Sequence, residues 1–234
     1  ALRRDVGAAQ RPAAGCAVLL VNSSVNVRPL QGVVGDVLAR HPGARLSVRE
    51  SASEATVHAL HTGAAGVGIV TDAAATDGLV AEELGADPLV LVAARGHALA
   101  ARGALRFSDA LAHDWVGWRE DGALHTHLVM QAVRAGGALN TVVSVPTAEG
   151  VLDLVARGFG ISVLPRALLA GCASASQLAI LELEEPWARR KLLVCRRADT
   201  TSPLALALFA ALQRQWPALD PICAAPAPAP RPPR

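Results

Sequence analysis

The chain has 234 residues, enough for one large domain or for two lobes of about 100 residues each. Hydrophobic residues make up 52% of it and aromatic ones 3%, with no tyrosine, so the core must be built from Ala, Val and Leu. The formal net charge is +2, but residues 1–15 hold Arg3, Arg4 and Arg11 against Asp5, and residues 218–234 hold Arg231 and Arg234 against Asp220; the body from 16 to 217 is left with 17 basic and 18 acidic residues, which excludes the basic face of a DNA-gripping domain.

Residues 1–15 read as the end of a linker. An apolar strand at Ala17–Val21 runs into Asn22-Ser23-Ser24, a good cap, and then into a helix from Val27 to Arg40 that His41-Pro42-Gly43 ends. Leu46–Arg49 is a second strand. Ser53 is placed to cap a helix reaching Thr62, with Glu54 in its first turn favouring the dipole. Val67–Val70 is a third strand, and β-α-β-α-β with right-handed crossovers gives a parallel sheet.

Leu89–Ala93 is a further strand placed to cross into a second lobe. That lobe takes in Phe107–Leu111, a strand at Trp115–Trp118, a helix at His125–Ala135, a strand at Val142–Val145, and the run VLDLVARGFGISVLPRALL from Val151 to Leu169. In this run Val151, Leu154 and Val155 recur at helical spacing, Arg157-Gly158 breaks the helix, and Gly160 to Leu164 reads as a buried strand that Pro165 stops. VHALHTGAAGVGIV, from Val57 to Val70, has the same grammar. Two such units predict two similar α/β lobes with a groove between them. Lys191–Arg196 is a strand late enough to return to the first lobe, where a helix at Pro203–Trp216 packs. The expected organisation is a linker end at 1–15, lobe I from 16–87 plus 189–217, lobe II at 88–188, and a Pro/Ala-rich tail at 218–234 that cannot bury a core.

Cys16, Cys172, Cys195 and Cys223 show no CxxC spacing and no nearby histidine pair, which fits reduced thiols and a cytoplasmic protein better than a disulfide framework. ALRRDVGAAQ at the start has no apolar leader region, and no run of about 18 apolar residues exists, so neither a signal peptide nor a membrane span is expected. Glu54, His58 and His61 share one helix face, a geometry that suits zinc, but with no further ligand evident they read as a solvated flank. The Gly-x-Gly pairs at 66–68 and 158–160 precede their strands, where a dinucleotide fingerprint follows its strand. No G-x-S-x-G elbow accompanies Cys172 or Ser162, so no nucleophile is assigned and no metal or cofactor is expected.

VNSSVNVRPL at 21–30, ARHPGARLSV at 39–48, GVGIV at 66–70, DPLVLVAARGHALA at 87–100 and ARGFGISVLPRALL at 156–169 stand in an order that resembles the effector-binding domain of LysR-type transcriptional regulators. The resemblance covers roughly residues 16–217. It implies the type II periplasmic-binding-protein fold, a two-lobe clamshell with two crossover strands, and the role of a metabolite-driven switch. DNA would be reached only through an N-terminal helix-turn-helix, which these 234 residues do not contain. One departure is Gly66, where the family usually has an acidic residue; a looser helix–strand contact is expected there.

In that fold the ligand lies between the lobes, at strand C-termini and helix N-termini, where free N–H groups suit a carboxylate or phosphate. The candidates for contact with a small, anionic effector are therefore Asn22, Ser23, Ser24, Ser53 and Thr71 from the first lobe, and Trp118, Leu124, His125, Thr126, Pro146 and Thr147 from the second. Ser23, Ser53 and Thr147 are also natural helix caps, and the two roles are compatible. His125 is a candidate for pH sensitivity.

The Val27–Arg40 helix carries Leu30, Val33, Val34, Val37 and Leu38, more apolar residues than one buried stripe needs. Either it sinks into the lobe or, as the resemblance favours, it forms a homodimer seam against Leu128 and Gln131 of the His125–Ala135 helix of a second copy, within a homodimer or homotetramer. Two other classes stay open at this level. One is an extracytoplasmic solute-binding protein, which would need an upstream leader and be monomeric. The other is an enzyme on the same fold, which would need a reactive side chain in the cleft.

Overall fold

A computed structural model describes residues 15–25, 27–170 and 172–219, with the backbone alone for 27–29 and 217–219. The first lobe opens with β1 (Cys16–Val21), α1 (Val27–Arg40), β2 (Arg45–Glu50), α2 (Ser53–His61) and β3 (Val67–Thr71). β1 pairs in parallel with both β2 and β3, as alternating strands and helices require. The lobe is completed by the first half of β4 (Leu79–Ala94) and, from the far end of the chain, by β10 (Arg189–Arg197) and α6 (Pro203–Leu219). Between these lie β5 (Ala104–Leu105), α3 (Phe107–Ala110), β6 (Asp114–Trp118), α4 (Ala123–Arg134), β7 (Asn140–Val145), α5 (Ala148–Ala156), β8 (Ser162–Pro165) and β9 (Leu178–Leu183), which make the second lobe.

One strand serves both lobes. β4 pairs with β10 over Leu79–Pro88 and with β8 and β9 over Leu89–Ala94, so the sheet is continuous in the order β2-β1-β3-β10-β4-β9-β5. The apolar cores nevertheless stay separate. In lobe I, Leu19, Val67, Ile69 and Val194 pack on one face under α1 and α6, while Val70 and Cys195 pack with Leu60 of α2 on the other. In lobe II the run Leu89-Val90-Leu91-Val92-Ala93 divides by parity. Leu89, Leu91 and Ala93 face the cluster of Phe107, Trp115 and Leu128, whereas Val90 and Val92 face Val151, Leu152 and Val155 of α5. A strand covered on both faces needs an unbroken apolar run, and that is what made it legible in the sequence.

The strand missed by pattern reading is the first half of β4. Glu82, Glu83, Gly85, Asp87 and Pro88 interrupt its hydrophobicity, and a register shift between Leu192 and Leu193 of β10 absorbs the irregularity. β9 was also missed, although Leu181 and Leu183 are buried and Ile180 and Glu182 exposed, an alternation that could have revealed it. At Gly66 the expectation of a looser contact is reversed. A Cβ there would stand 3.1 Å from Cβ of Ala205, so glycine lets α6 approach closely. The predicted tail and linker lie outside the described residues, save for Gly15 and the last two residues of α6. Among the described residues no helix is long and apolar enough to cross a membrane.

The dimer-seam prediction needs correction for five of its residues. Leu30, Val33 and Val37 are buried in the lobe's own core, and Leu128 and Gln131 of α4 are likewise buried. Val34 packs half-buried against that core, and Leu38 is half-buried too. The apolar surplus of α1 is consumed by α6 and the sheet. The apolar side chains that α4 leaves exposed are Val129, Met130 and Val133.

Where the chain passes between lobes, Asp87 of β4 and Arg190 of β10 are cross-strand neighbours. Their side chains pair at 2.5 Å, and Arg190 also donates to Ser24 Oγ at 2.9 Å. His127 of α4 stacks edge-on against Trp187, three residues from Arg190, with its Nε2 buried and unpartnered among the described residues. Burial, then the positive charges of Arg190 and Arg134, hold its pKa below 6.5. The unfolded chain takes up that proton near pH 6.5, so this part of the folding free energy is intact above that pH and is lost as pH falls below it. Lowering the pH from about 7.5 to about 5.5 should therefore depress Tm more in the native chain than in His127→Gln. Parallel Tm-versus-pH curves would contradict this assignment.

Candidate functional site

The C-terminal ends of β1 and β2 and the loop after β6 face one another across a crevice of about 130 Å³. Asn22 and Ser23 follow β1, Glu50 ends β2, and Ser51 and Ala52 lead into α2. The opposing wall is Trp118, Arg119, Asp121, Gly122, Ala123 and Leu124, from the end of β6 to the start of α4.

Neither helix that opens on this crevice is capped by a side chain. The cap positions are Ala52 for α2 and Gly122 for α4, and neither makes a side-chain cap hydrogen bond. The first-turn N–H groups of two helices are therefore left for a guest, with the positive ends of both dipoles. This revises the predicted cap role of Ser53, which is the first residue of α2 and turns its hydroxyl inward. Ser53 Oγ accepts from Asn22 Nδ2 and from the Thr71 N–H, each at 3.1 Å, and lies 3.4 Å from Thr71 Oγ1. Asn22 Oδ1 in turn accepts from the Ser24 N–H at 2.8 Å. Ser53, Thr71 and Ser24 thus form a buried frame that fixes Asn22 at the crevice wall. Ser53→Ala should cost about 1–3 kcal/mol in chemical denaturation, because two buried donors lose their acceptor. A loss under a few tenths would show that water replaces the hydroxyl.

Four of the predicted contacts therefore line the crevice: Asn22, Ser23, Trp118 and Leu124. The others are elsewhere. Thr147 caps α5 by accepting from the Gly150 N–H at 3.1 Å. Pro146 lines an adjoining open groove with Ser144, which shares Arg119 and Asp121 with the crevice. His125 lines two further hollows with Leu139 and Thr141, and exposed Thr126 bonds back to the Gly122 carbonyl. Glu54, His58 and His61 are exposed along α2. Ser162 is buried and donates to the Val116 carbonyl, and burial pushes the Cys195 thiol up to about 11, so neither is poised as a nucleophile.

The charged residues of the site were not read from the sequence. Arg119 Nη1 meets Glu50 Oε1 at 2.6 Å, an ion pair that spans the crevice from one lobe to the other. Arg119 Nε also lies 3.9 Å from Asp121 Oδ1. Arg119 has φ 49°, the one positive φ outside glycine among the described residues, in a turn closed by Gly122 N–H to the Arg119 carbonyl at 2.8 Å. Such a conformation costs of order 1–3 kcal/mol and persists where the surroundings impose it. The available signal was the tetrad Arg119-Glu120-Asp121-Gly122 at the C-terminal end of a parallel strand, where ligands of open α/β sheets collect.

Residues 15–217 match the family described as LysR substrate binding domain. No curated protein matches the sequence. Among solved structures, the fold is similar to the regulatory domain of MetR, a LysR family regulator from N. meningitidis, with 19% identity, TM-score 0.71, and coverage of 88% of this chain and 95% of that one. It is similar to the CcmR regulatory domain from Synechocystis PCC6803 in complex with 2-PG, with 20% identity, TM-score 0.70, and coverage of 85% and 96%. The effector-binding domain of QuiR in complex with shikimate follows the same fold, with 16% identity, TM-score 0.64, and coverage of 86% and 96%.

Proposed function

Because the chain belongs to the LysR substrate-binding-domain family, we propose that it is the ligand-sensing part of a LysR-type transcription regulator. It takes a small metabolite with at least one anionic group into the crevice between Asn22-Ser23 and Trp118–Gly122. The observation that carries this reading is the convergence of two uncapped helix N-termini with Arg119 on a crevice between lobes. The crevice of about 130 Å³ shares Arg119 and Asp121 with an open groove beside it, and the two together suit a small metabolite. Relatives of this fold in complex with shikimate and 2-PG support a small acid as guest.

Switching requires that the guest bind one lobe arrangement better than another; carrying a 1:99 equilibrium to 99:1 takes about 10⁴-fold differential affinity. Groups from both lobes touch the same crevice, so a bound acid would draw Glu50 and Arg119 into new positions. The shift is passed to a homodimer or homotetramer bearing DNA-reading heads, and the exposed Val129, Met130 and Val133 of α4 support contact with another copy. Titration calorimetry against a panel of organic acids and amino acids tests the reading. At least one should bind and raise Tm, and Arg119→Ala should weaken it. No binder to a folded, monodisperse sample would overturn it.

A further inference from the structure

The charge count of the crevice narrows the class of guest. Glu50, Arg119 and Asp121 line it, so two carboxylates face one guanidinium. Arg119 is committed to Glu50 at 2.6 Å, with side-chain exposures of 36% and 46%, and to Asp121 more distantly. A purely anionic guest has to take Arg119 from Glu50, leaving Glu50 and Asp121 beside a negative charge without a cation. A purely cationic guest leaves Arg119 unpaired and faces the positive ends of two helices. Both outcomes place a like charge in a partly closed crevice.

A guest carrying both charges avoids either cost. We propose that the effector is a small zwitterion of the α-amino-acid type, whose carboxylate is held by Arg119 and the open N-termini of α2 and α4 while its ammonium is held by Glu50, with Asp121 nearby. Such a molecule inserts into the existing ion pair and re-pairs both ends. It thereby exchanges a direct lobe-to-lobe link for one that runs through the ligand. Trp118, Leu124, Ala52 and Ala123 share the remaining wall with the uncharged polar groups of Asn22, Ser23 and Ser51, so it offers no partner for a third charge on the guest. Both helix ends and both carboxylates are used, and no charged group of the crevice is left over. The inference rests on the ligand-sensing reading above and names the ligand class of that same site.

The test is calorimetry on the 234-residue chain with the standard L-amino acids, each matched to the 2-hydroxy acid of the same skeleton and to its amino amide. One or more amino acids should bind, and both matched analogues should bind at least about ten-fold more weakly, the loss expected when one member of a charge pair is left alone. Glu50→Gln should erase the preference for the amino over the hydroxy acid while leaving Tm close to native. A hydroxy acid binding as tightly as its amino acid, a preference that survives Glu50→Gln, or binding by simple organic acids alone would overturn the zwitterion while leaving the sensor role standing. Binding by neither class would overturn the sensor role itself.

Discussion

Asp87→Ala is expected to remove about 3–5 kcal/mol of folding free energy, the typical loss when one member of a buried ion pair is deleted. Asp87 is 1% exposed and Arg190 13%, so the guanidinium would be left charged in an environment that had already lost most of its water. Burial pushes the Arg190 pKa below its usual range, and the carboxylate of Asp87 is the chief group pulling it back. The damage should extend to the site, because Arg190 also donates to Ser24, whose N–H is held by Asn22. Urea denaturation should show a lower midpoint with an unchanged slope. Replacing both partners, as in Asp87→Leu with Arg190→Met, should recover much of the loss, since the buried charge is then gone. A single-mutant loss under about 1 kcal/mol would mean that the pair is hydrated and does not pin the crossover.

Gly160→Ala is expected to cost about 3 kcal/mol, by adding backbone strain to a steric clash. The residue has φ 156°, which side-chain-bearing residues rarely adopt, and a Cβ would sit 2.6 Å from the Asp114 carbonyl oxygen. The nearest atoms, Asp114 O and C and Trp115 N, are all backbone, and none belongs to a flexible side chain that can yield. The next residue ties β8 to β6, with Ile161 N–H donating to Asp114 O at 2.9 Å and Val116 N–H donating to Ile161 O at 2.8 Å. This junction holds the two-stranded β6–β7 sheet to the rest of lobe II, and β6 ends at Trp118, next to Arg119. The substitution should therefore weaken effector binding as well as lower Tm, although it lies outside the crevice lining. By contrast, Gly158→Ala pays only for its φ of 83°, since nothing lies within 4 Å of a Cβ there, and should cost about 1 kcal/mol and spare binding. Equal effects at the two glycines would rule out the clash as the cause.

Much of the architecture could be read before any coordinates. The run Leu89–Ala93 read as a strand, Gly160–Leu164 as a buried strand where the chain forms β8 at Ser162–Pro165 with Pro165 paired to Leu89, and Val27–Arg40 as a helix that ends where His41-Pro42-Gly43 begins. Where reading failed, polar residues were doing structural work. The first half of β4 carries Glu83, which Lys191 pairs, and Asp87, which Arg190 pairs, and a partner more than a hundred residues away leaves no trace in a local window. Ser53 looked like a cap because caps are recognised by residue type, yet its hydroxyl is taken by Asn22 and Thr71. The surplus of apolar residues on α1 hinted at a second surface, whereas α6 had already covered it.

The amino-acid order alone set most of the elements, their sequence and the family, because periodicity, caps and breakers act over a few neighbouring residues; the first half of β4 and β9 are the exceptions. Which charges meet was settled only by the packed chain. Glu50 and Arg119 stand 69 positions apart, on different lobes, and nothing near either residue says that the other will be within hydrogen-bond reach. Their meeting depends on how the shared strand β4 joins one lobe to the other, a property of the whole sheet rather than of any segment of it.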